Sequence, residues 1–219
     1  MDKFDNVLNF YLLAIKLNNM IRSGWNNNHW NIKAERLESI SEHVYSTCIL
    51  AIAIQSEFPH NLDINKVIKM LVLHEIGETI IGDITPTDNI TAEGKEKMEH
   101  EAMKEALASL SERDELLALL YEFDEHKTNE SLFAFRIDKM QADIQAKIYQ
   151  DKGLYNQDEW DRFVNSIPRL KELHNNGIEN KIYNYWYIND RPKMGDDKAF
   201  LGLQDKLKDT DLSDYKKGI

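Results

Sequence analysis

Within ten residues the chain places a histidine and three acids: Leu73-His74-Glu75-Ile-Gly-Glu78-Thr-Ile-Ile-Gly-Asp83. An imidazole beside carboxylates is a donor set for a divalent cation, and carboxylates free of the cation can move protons. Upstream, Ile64, Val67, Ile68 and Leu71 recur at spacings of three and four, the mark of a buried helix stripe. Continued by one turn, that stripe lands on His74, Glu75 and Glu78. Burying such groups without a partner costs several kcal/mol, so a cation or an ion pair is required. The acids also lie toward the C-terminal end of a helix predicted from Ile64 to about Ile81, where the helix dipole disfavours each by about 0.3–1 kcal/mol. Selection for something other than helix stability explains that placement.

Two further positions show the same anomaly. His43 falls in the first turn of a helix predicted over Ile40–Phe58, on the core-facing line His43, Thr47, Leu50, Ile54. Asp138 lies in the middle of a helix predicted over Glu130–Gln150, beside the stripe Phe133, Ile137, Met140, Ile144, Ile148. Each has an ordinary reading alone: a satisfied core histidine, and a salt bridge from Asp138 to Lys139, Lys147 or Arg136. Together, two imidazoles and two carboxylates from three helices form an N/O site for one divalent ion of the Mn, Fe, Co, Ni, Zn or Mg type. Such an ion polarises a phosphate oxygen and lowers the pKa of its water toward neutrality.

The elements that would carry these residues read as helices throughout. The chain has 219 residues with only nine Gly and four Pro, and 42% of them are hydrophobic. That composition supports a real core and argues against a turn-rich β fold. A first amphipathic helix is expected over Asp5–Arg22, with Val7, Phe10, Ala14, Leu17 and Ile21 as its buried line. A polar ordered loop runs from Ser23 to Glu38, and a second from Asp83 to Ile90. Helices follow from Thr91 to about Leu110 and from about Glu112, capped by Ser111, to His126. Beyond the long helix come Gln157–Ile167, Pro168 into the aromatic run Tyr183–Tyr187, and Lys198–Leu207 before a frayed tail. The expected organisation is a helical metal-binding domain over residues 1–155 with a helical extension over 156–219 packed on it.

The formal net charge of −11 excludes a nucleic-acid polymer as partner, because phosphate backbones are held by clustered Lys and Arg that this chain lacks. A small phosphate ester remains open if a metal and a few cations draw it in. No apolar run approaches the roughly 18 residues a membrane span needs, and no secretory signal is legible at the N-terminus. Cys48 is the only cysteine, so no disulfide framework is expected and the protein is assigned to the cytoplasm.

The segments Arg22-Ser-Gly-Trp25, Glu38-Ser-Ile-Ser-Glu42-His43, Leu73-His74-Glu75-Ile-Gly-Glu78, Gly82-Asp83-Ile-Thr-Pro86-Thr-Asp88, Glu99-His-Glu101-Ala-Met and Ile137-Asp138-Lys139 occur in an order that resembles the HD-domain superfamily. Within it, the chain resembles most the HD-domain 5′-deoxynucleotidases, over roughly residues 10–150. The resemblance implies an all-helical bundle around a metal and release of phosphate from (deoxy)nucleoside 5′-monophosphates by attack of a metal-bound water. It implies His43, His74, Glu75 and Asp138 as ligands and Glu78 and Asp83 as the acids that assist attack or leaving-group protonation. Arg22 would bind phosphate and Trp25 would pack on sugar or base, and the protein would be a homodimer, with the Tyr183–Tyr187 cluster calling for a partner. One position departs from the family: Glu75 stands where the family has Asp, one methylene shorter, so the metal must shift by about an ångström, or Glu75 must fold back, or another acid must substitute.

Three other readings compete. His-Glu-x-x-Glu comes close to the zinc-protease motif His-Glu-x-x-His, but the last position is Glu78. A non-catalytic scaffold with a structural metal, and a hydrolase of another nucleotide phosphate ester, fit the same residues.

Overall fold

The computed structural model describes residues 2–26, 32–84 and 90–214, and every regular element among them is helical. Residues 85–89, with Pro86 and Asp88 of the second loop, and the tail from Tyr215 onward lie outside the described residues. The chain divides into two compact units, Met1–Ser23 with Glu38–Phe135, and Gly24–Leu37 with Arg136–Ile219. None of the helices is long and apolar enough to cross a membrane.

The first unit starts with α1 (Lys3–Ala14), opened by an Asp2–Asp5 capping box and continued by a 3₁₀ turn over Ile15–Asn19. Its packed face is Phe10, Leu13 and Ala14, set against a cluster of Ile76, Met103, Leu107 and Leu120. Val7 was expected on the buried line, yet it is 63% exposed, along with Phe4, Leu8, Tyr11 and Leu12. The helix is apolar on two faces, so periodicity alone could not say which one the core takes. The chain then straightens. Ile21 pairs with Ser39 in an isolated antiparallel bridge, Arg22 N–H donates to the Glu38 carbonyl, and Ile40 N–H donates to the Met20 carbonyl. A short α2 (Ser23–Asn26) follows.

α3 (Ile40–Glu57) begins at a complete capping box, with Ser39 and Glu42 each satisfying the other's backbone N–H. Its buried line is Ile40, His43, Thr47, Ala51 and Ile54. α4 (Ile64–Leu73), capped by Asp63, buries Val67, Met70 and Leu71. The helix does not run on to Ile81 as the sequence indicated. It stops with His74 as its C-cap, tightens through i→i+3 bonds at Ile76, Glu78 and Thr79, and restarts as the single turn α5 (Glu78–Ile81). Gly77 sits in that break and packs against Glu99, Ala102 and Met103 of α6 (Ala92–Ala106). α7 (Arg113–Glu125) starts from Glu112 without a side-chain cap, rather than from Ser111.

α8 (Asn129–Asp151) runs unbroken through the division between units and buries Phe133, Ile137 and Met140. The second unit continues with α9 (Gln157–Ser166), α10 (Pro168–Asn175), α11 (Ile182–Asp190) and α12 (Lys198–Lys208). The expected single helix from Pro168 into the aromatic run is therefore two, parted at Gly177, whose φ of +94° no continuing helix accepts. Trp25, Tyr149, Trp160, Val164, Ile182 and Tyr185 form this unit's core. Past α12 the chain is tied down as far as Leu212, since Lys147 donates to the Thr210 carbonyl and Leu212 N–H donates to Asp151.

Candidate metal centre

His74 and Glu75, adjacent at the end of α4, bring their polar atoms to one place although successive helical residues project about 100° apart. His74 donates from Nδ1 to the Leu71 carbonyl at 2.8 Å, which leaves Nε2 as the lone-pair nitrogen. That Nε2 faces the Nε2 of His43, fully buried in the first turn of α3, at 3.4 Å. Glu75 brings Oε1 to 3.5 Å from the His74 Nε2 and 3.6 Å from the His43 Nε2. These three atoms form a nearly equilateral triangle. Its centre lies about 2.0 Å from each corner, the length of a bond from zinc-like ions to imidazole nitrogen or carboxylate oxygen.

Asp138 lies on α8. With it, His43, His74, Glu75 and Asp138 each present a ligand atom within 4.8 Å of the other three. Two imidazoles and two carboxylates converge here, Arg22 lying against Glu75 and Lys139 against Asp138, and a divalent cation is a counter-charge that all four can share. The donor set therefore fits such an ion, and the carbonyl behind His74 is the outer support that metal-bound histidines ordinarily have. The extra methylene of Glu75 does not carry its carboxylate away from the imidazoles. The ordinary reading of Asp138 also holds in part, because Lys139 Nζ lies 2.8 Å from its Oδ2.

The remaining expected site residues fall into two places. In the first unit, Arg22 Nη1 reaches Glu75 Oε1 at 3.3 Å, and the Ser23 N–H donates to Asp83 Oδ2 at 2.6 Å. Gly82, at φ +78°, turns the chain out of α5 and directs Asp83 toward that N–H. Glu78 is the most perturbed acid of the group. Burial, then the neighbouring Glu75 and Asp83 carboxylates, hold it well above the usual carboxylate range against the pull of Arg22. Its Oε2 finds no hydrogen-bond partner among the described residues. As the first residue of α5 it no longer opposes a helix dipole, which removes one anomaly read from the sequence. Of the quoted Glu99-His-Glu101 segment, Glu99 pairs with Lys95 at 3.4 Å and His100 with Asp124 at 2.9 Å.

Trp25 belongs to the second unit. It is 1% exposed in the core of the second unit, with Tyr149 edge-on at 5.2 Å and Trp186 stacked at 5.3 Å. Its indole face is occupied by protein.

Sequence reasoning missed two features. One is the pairing of Arg22 with Glu75, which no spacing reveals because 53 residues separate them. The other is a second buried acid on α8. Asp143 is fully buried, accepts from Gln204 Nε2 at 2.8 Å, and is pushed up to about 8 by burial and by Asp190. An acid in the middle of an apolar helix was the signal that singled out Asp138, and it applies equally here.

Comparison with known proteins gives a consistent result. The HD domain model matches residues 14–177. A 5′-deoxynucleotidase HDDC2 of Dictyostelium discoideum is 34% identical over 152 residues, which is 66% of this chain and 78% of that protein. Its human namesake is 32% identical over 148 residues, 67% of this chain and 69% of that one. Among solved structures, a conserved hypothetical protein of Pyrococcus furiosus superposes with a TM-score of 0.66 at 21% identity, covering 93% of this chain and 99% of its own. A protein of Magnetospirillum magnetotacticum MS-1, described as a predicted metal-dependent phosphohydrolase, superposes at 0.58 and 18% identity, covering 94% and 97%. At those identities the structures speak for the fold alone.

Proposed function

Because the chain belongs to the HD domain family, we propose that this metal-dependent phosphohydrolase releases phosphate from (deoxy)nucleoside 5′-monophosphates. The observation that carries the reading is the triangle of His43 Nε2, His74 Nε2 and Glu75 Oε1, with Asp138 beside it and a guanidinium at its edge. The HDDC2 relatives, named 5′-deoxynucleotidases, supply the substrate class.

One divalent ion held by His43, His74, Glu75 and Asp138 would supply Lewis-acid polarisation of phosphate and a water of low pKa. Arg22 meets the phosphate dianion, on a backbone fixed by the bonds around Ile21 and Ser39. Glu78, buried beside Glu75 and Asp83, would offer a proton to the leaving 5′-oxygen. Asp83 accepts from the Ser23 N–H and thereby orients the segment that carries Arg22. A contact of Trp25 with sugar or base would need its indole to leave the core, so we assign Trp25 to fixing α2.

The four ligand candidates all precede residue 155, which supports assigning the chemistry to residues 1–155 and the extension to 156–219. A homodimer is part of the proposal, for a new reason. Tyr183 and Tyr185 are buried within their own unit, so the aromatic run calls for no partner. The uncharged stripe Phe4, Val7, Leu8, Tyr11, Leu12 on α1 does. The free thiol of Cys48 agrees with a cytoplasmic location.

The test is a substrate panel. Protein stripped by chelator is reloaded with Mn, Co, Ni, Mg or Zn and offered nucleoside and deoxynucleoside monophosphates, a phosphodiester and casein. Phosphate release from deoxynucleoside monophosphates with at least one ion supports the reading. Tight metal binding without turnover of any ester would replace it with the scaffold, and casein cleavage with the protease.

A further inference from the structure

Glu75 Oε1 is the corner shared by two different partners. On one side lie the two imidazole nitrogens at 3.5 and 3.6 Å, on the other the Arg22 guanidinium at 3.3 Å. Both side chains are mostly shielded, Arg22 at 20% and Glu75 at 17% exposure, so the pair is not a freely solvated surface contact. The backbone of Arg22 is held by its bond to the Glu38 carbonyl and by the adjacent Ser23–Asp83 bond. A divalent ion bonded to Oε1 stands within about 5 Å of the guanidinium, a distance at which like charges in a shielded site repel strongly. An Asp at position 75 would withdraw the carboxylate by one methylene. The longer Glu is what lets one oxygen reach both partners.

We propose that Glu75 Oε1 is a latch for which Arg22 and the ion compete: Arg22 holds it without the ion and gives it up when the ion binds, so that Arg22 is released for the phosphate. Arg22 thus opposes metal binding by itself and favours it once a phosphate dianion neutralises the guanidinium. Ion and phosphate bind with positive coupling, and by thermodynamic reciprocity each tightens the other by the same factor. The proposal rests on the metal-hydrolase reading above and goes beyond it in giving the departure at position 75 a role.

The experiment is calorimetric titration of chelator-stripped, full-length protein with Mn²⁺, with and without inorganic phosphate. The variants are Arg22→Gln, Arg22→Met, Glu75→Asp and Arg22→Gln with Glu75→Asp, each checked for helicity by circular dichroism. Without phosphate, Arg22→Gln and Arg22→Met are expected to bind Mn²⁺ about tenfold more tightly than the wild type. Phosphate should tighten Mn²⁺ in the wild type by several-fold more than in either variant. In the Glu75→Asp background, Arg22→Gln should change Mn²⁺ affinity less than twofold. Weaker or unchanged Mn²⁺ binding by both Arg22 variants overturns the latch, as does an undiminished Arg22 effect when Asp replaces Glu75. Those outcomes leave the hydrolase reading standing, whereas absence of Mn²⁺ binding by any protein removes both.

Discussion

The Nε2 atoms of His43 and His74 face each other at 3.4 Å, one from the first turn of α3 and the other from the C-cap of α4. With the far nitrogen of His74 committed to the Leu71 carbonyl, its Nε2 lone pair faces His43 and is placed to bind a cation. A ligand that binds only the folded state adds RT ln(1 + [L]/Kd), about 2.7 kcal/mol at a hundredfold excess over Kd. Mn²⁺ at that excess should raise the thermal midpoint of the wild type, and His43→Ala or His74→Ala should abolish the rise. Equal shifts in wild type and variants would move the ion elsewhere.

How much of this was legible depended on whether the signal was local. The capping box of Ser39 and Glu42 fixes the start of α3, and with it the inward turn of His43; four residues of sequence contain all of it. The stop after Leu73 is different. Apolar residues continue through Ile76, Ile80 and Ile81, so the periodic pattern reads as one helix. The break answers to tertiary packing, where Gly77 lies against the Glu99 carbonyl and Met103 of α6. The face α1 buries was illegible for a related reason, since both of its faces are apolar and only the first unit's core selects between them.

Glu78→Gln keeps the volume and polarity of the side chain while removing its exchangeable acid proton. If Glu78 delivers a proton to the leaving oxygen, kcat on a deoxynucleoside monophosphate should fall by about 10²–10⁴. Mn²⁺ binding should survive, because Glu78 is not among the four converging ligands. Steady-state kinetics beside a metal titration separates the two. Unchanged kcat would strip Glu78 of its role.

The acid pair Asp143–Asp190 gives a pH signature of its own. Asp143 on α8 meets Asp190 and Tyr183 of α11, Gln204 of α12 and, through Asp190, Lys193. Its folded pKa is raised from 3.8 to about 8, so between those values the folded state holds a proton that the unfolded state has lost. Stability should therefore fall as pH rises from about 4 to about 8, by at most about 1.4 kcal/mol per pH unit, and level off above. Asp143→Asn should flatten that component of the urea-denaturation profile. An identical slope in the variant would mean that another group carries it.

The α1 stripe makes the oligomeric proposal specific. Leu8→Glu or Tyr11→Glu places a charge in an apolar face that is more than half exposed at both positions, so the monomer's fold should be little affected. Light scattering at micromolar concentration should give a dimer for the wild type and a monomer for either variant. A monomeric wild type, or dimeric variants, would take the stripe out of the assembly.

The most direct test of the metal centre is anomalous diffraction from crystals of the full chain grown with Mn²⁺. One peak is expected about 2.0–2.4 Å from His43 Nε2, His74 Nε2, a Glu75 oxygen and an Asp138 oxygen. A map with no peak there, or with the ion bound away from these four side chains, would contradict the site and the phosphohydrolase chemistry built on it.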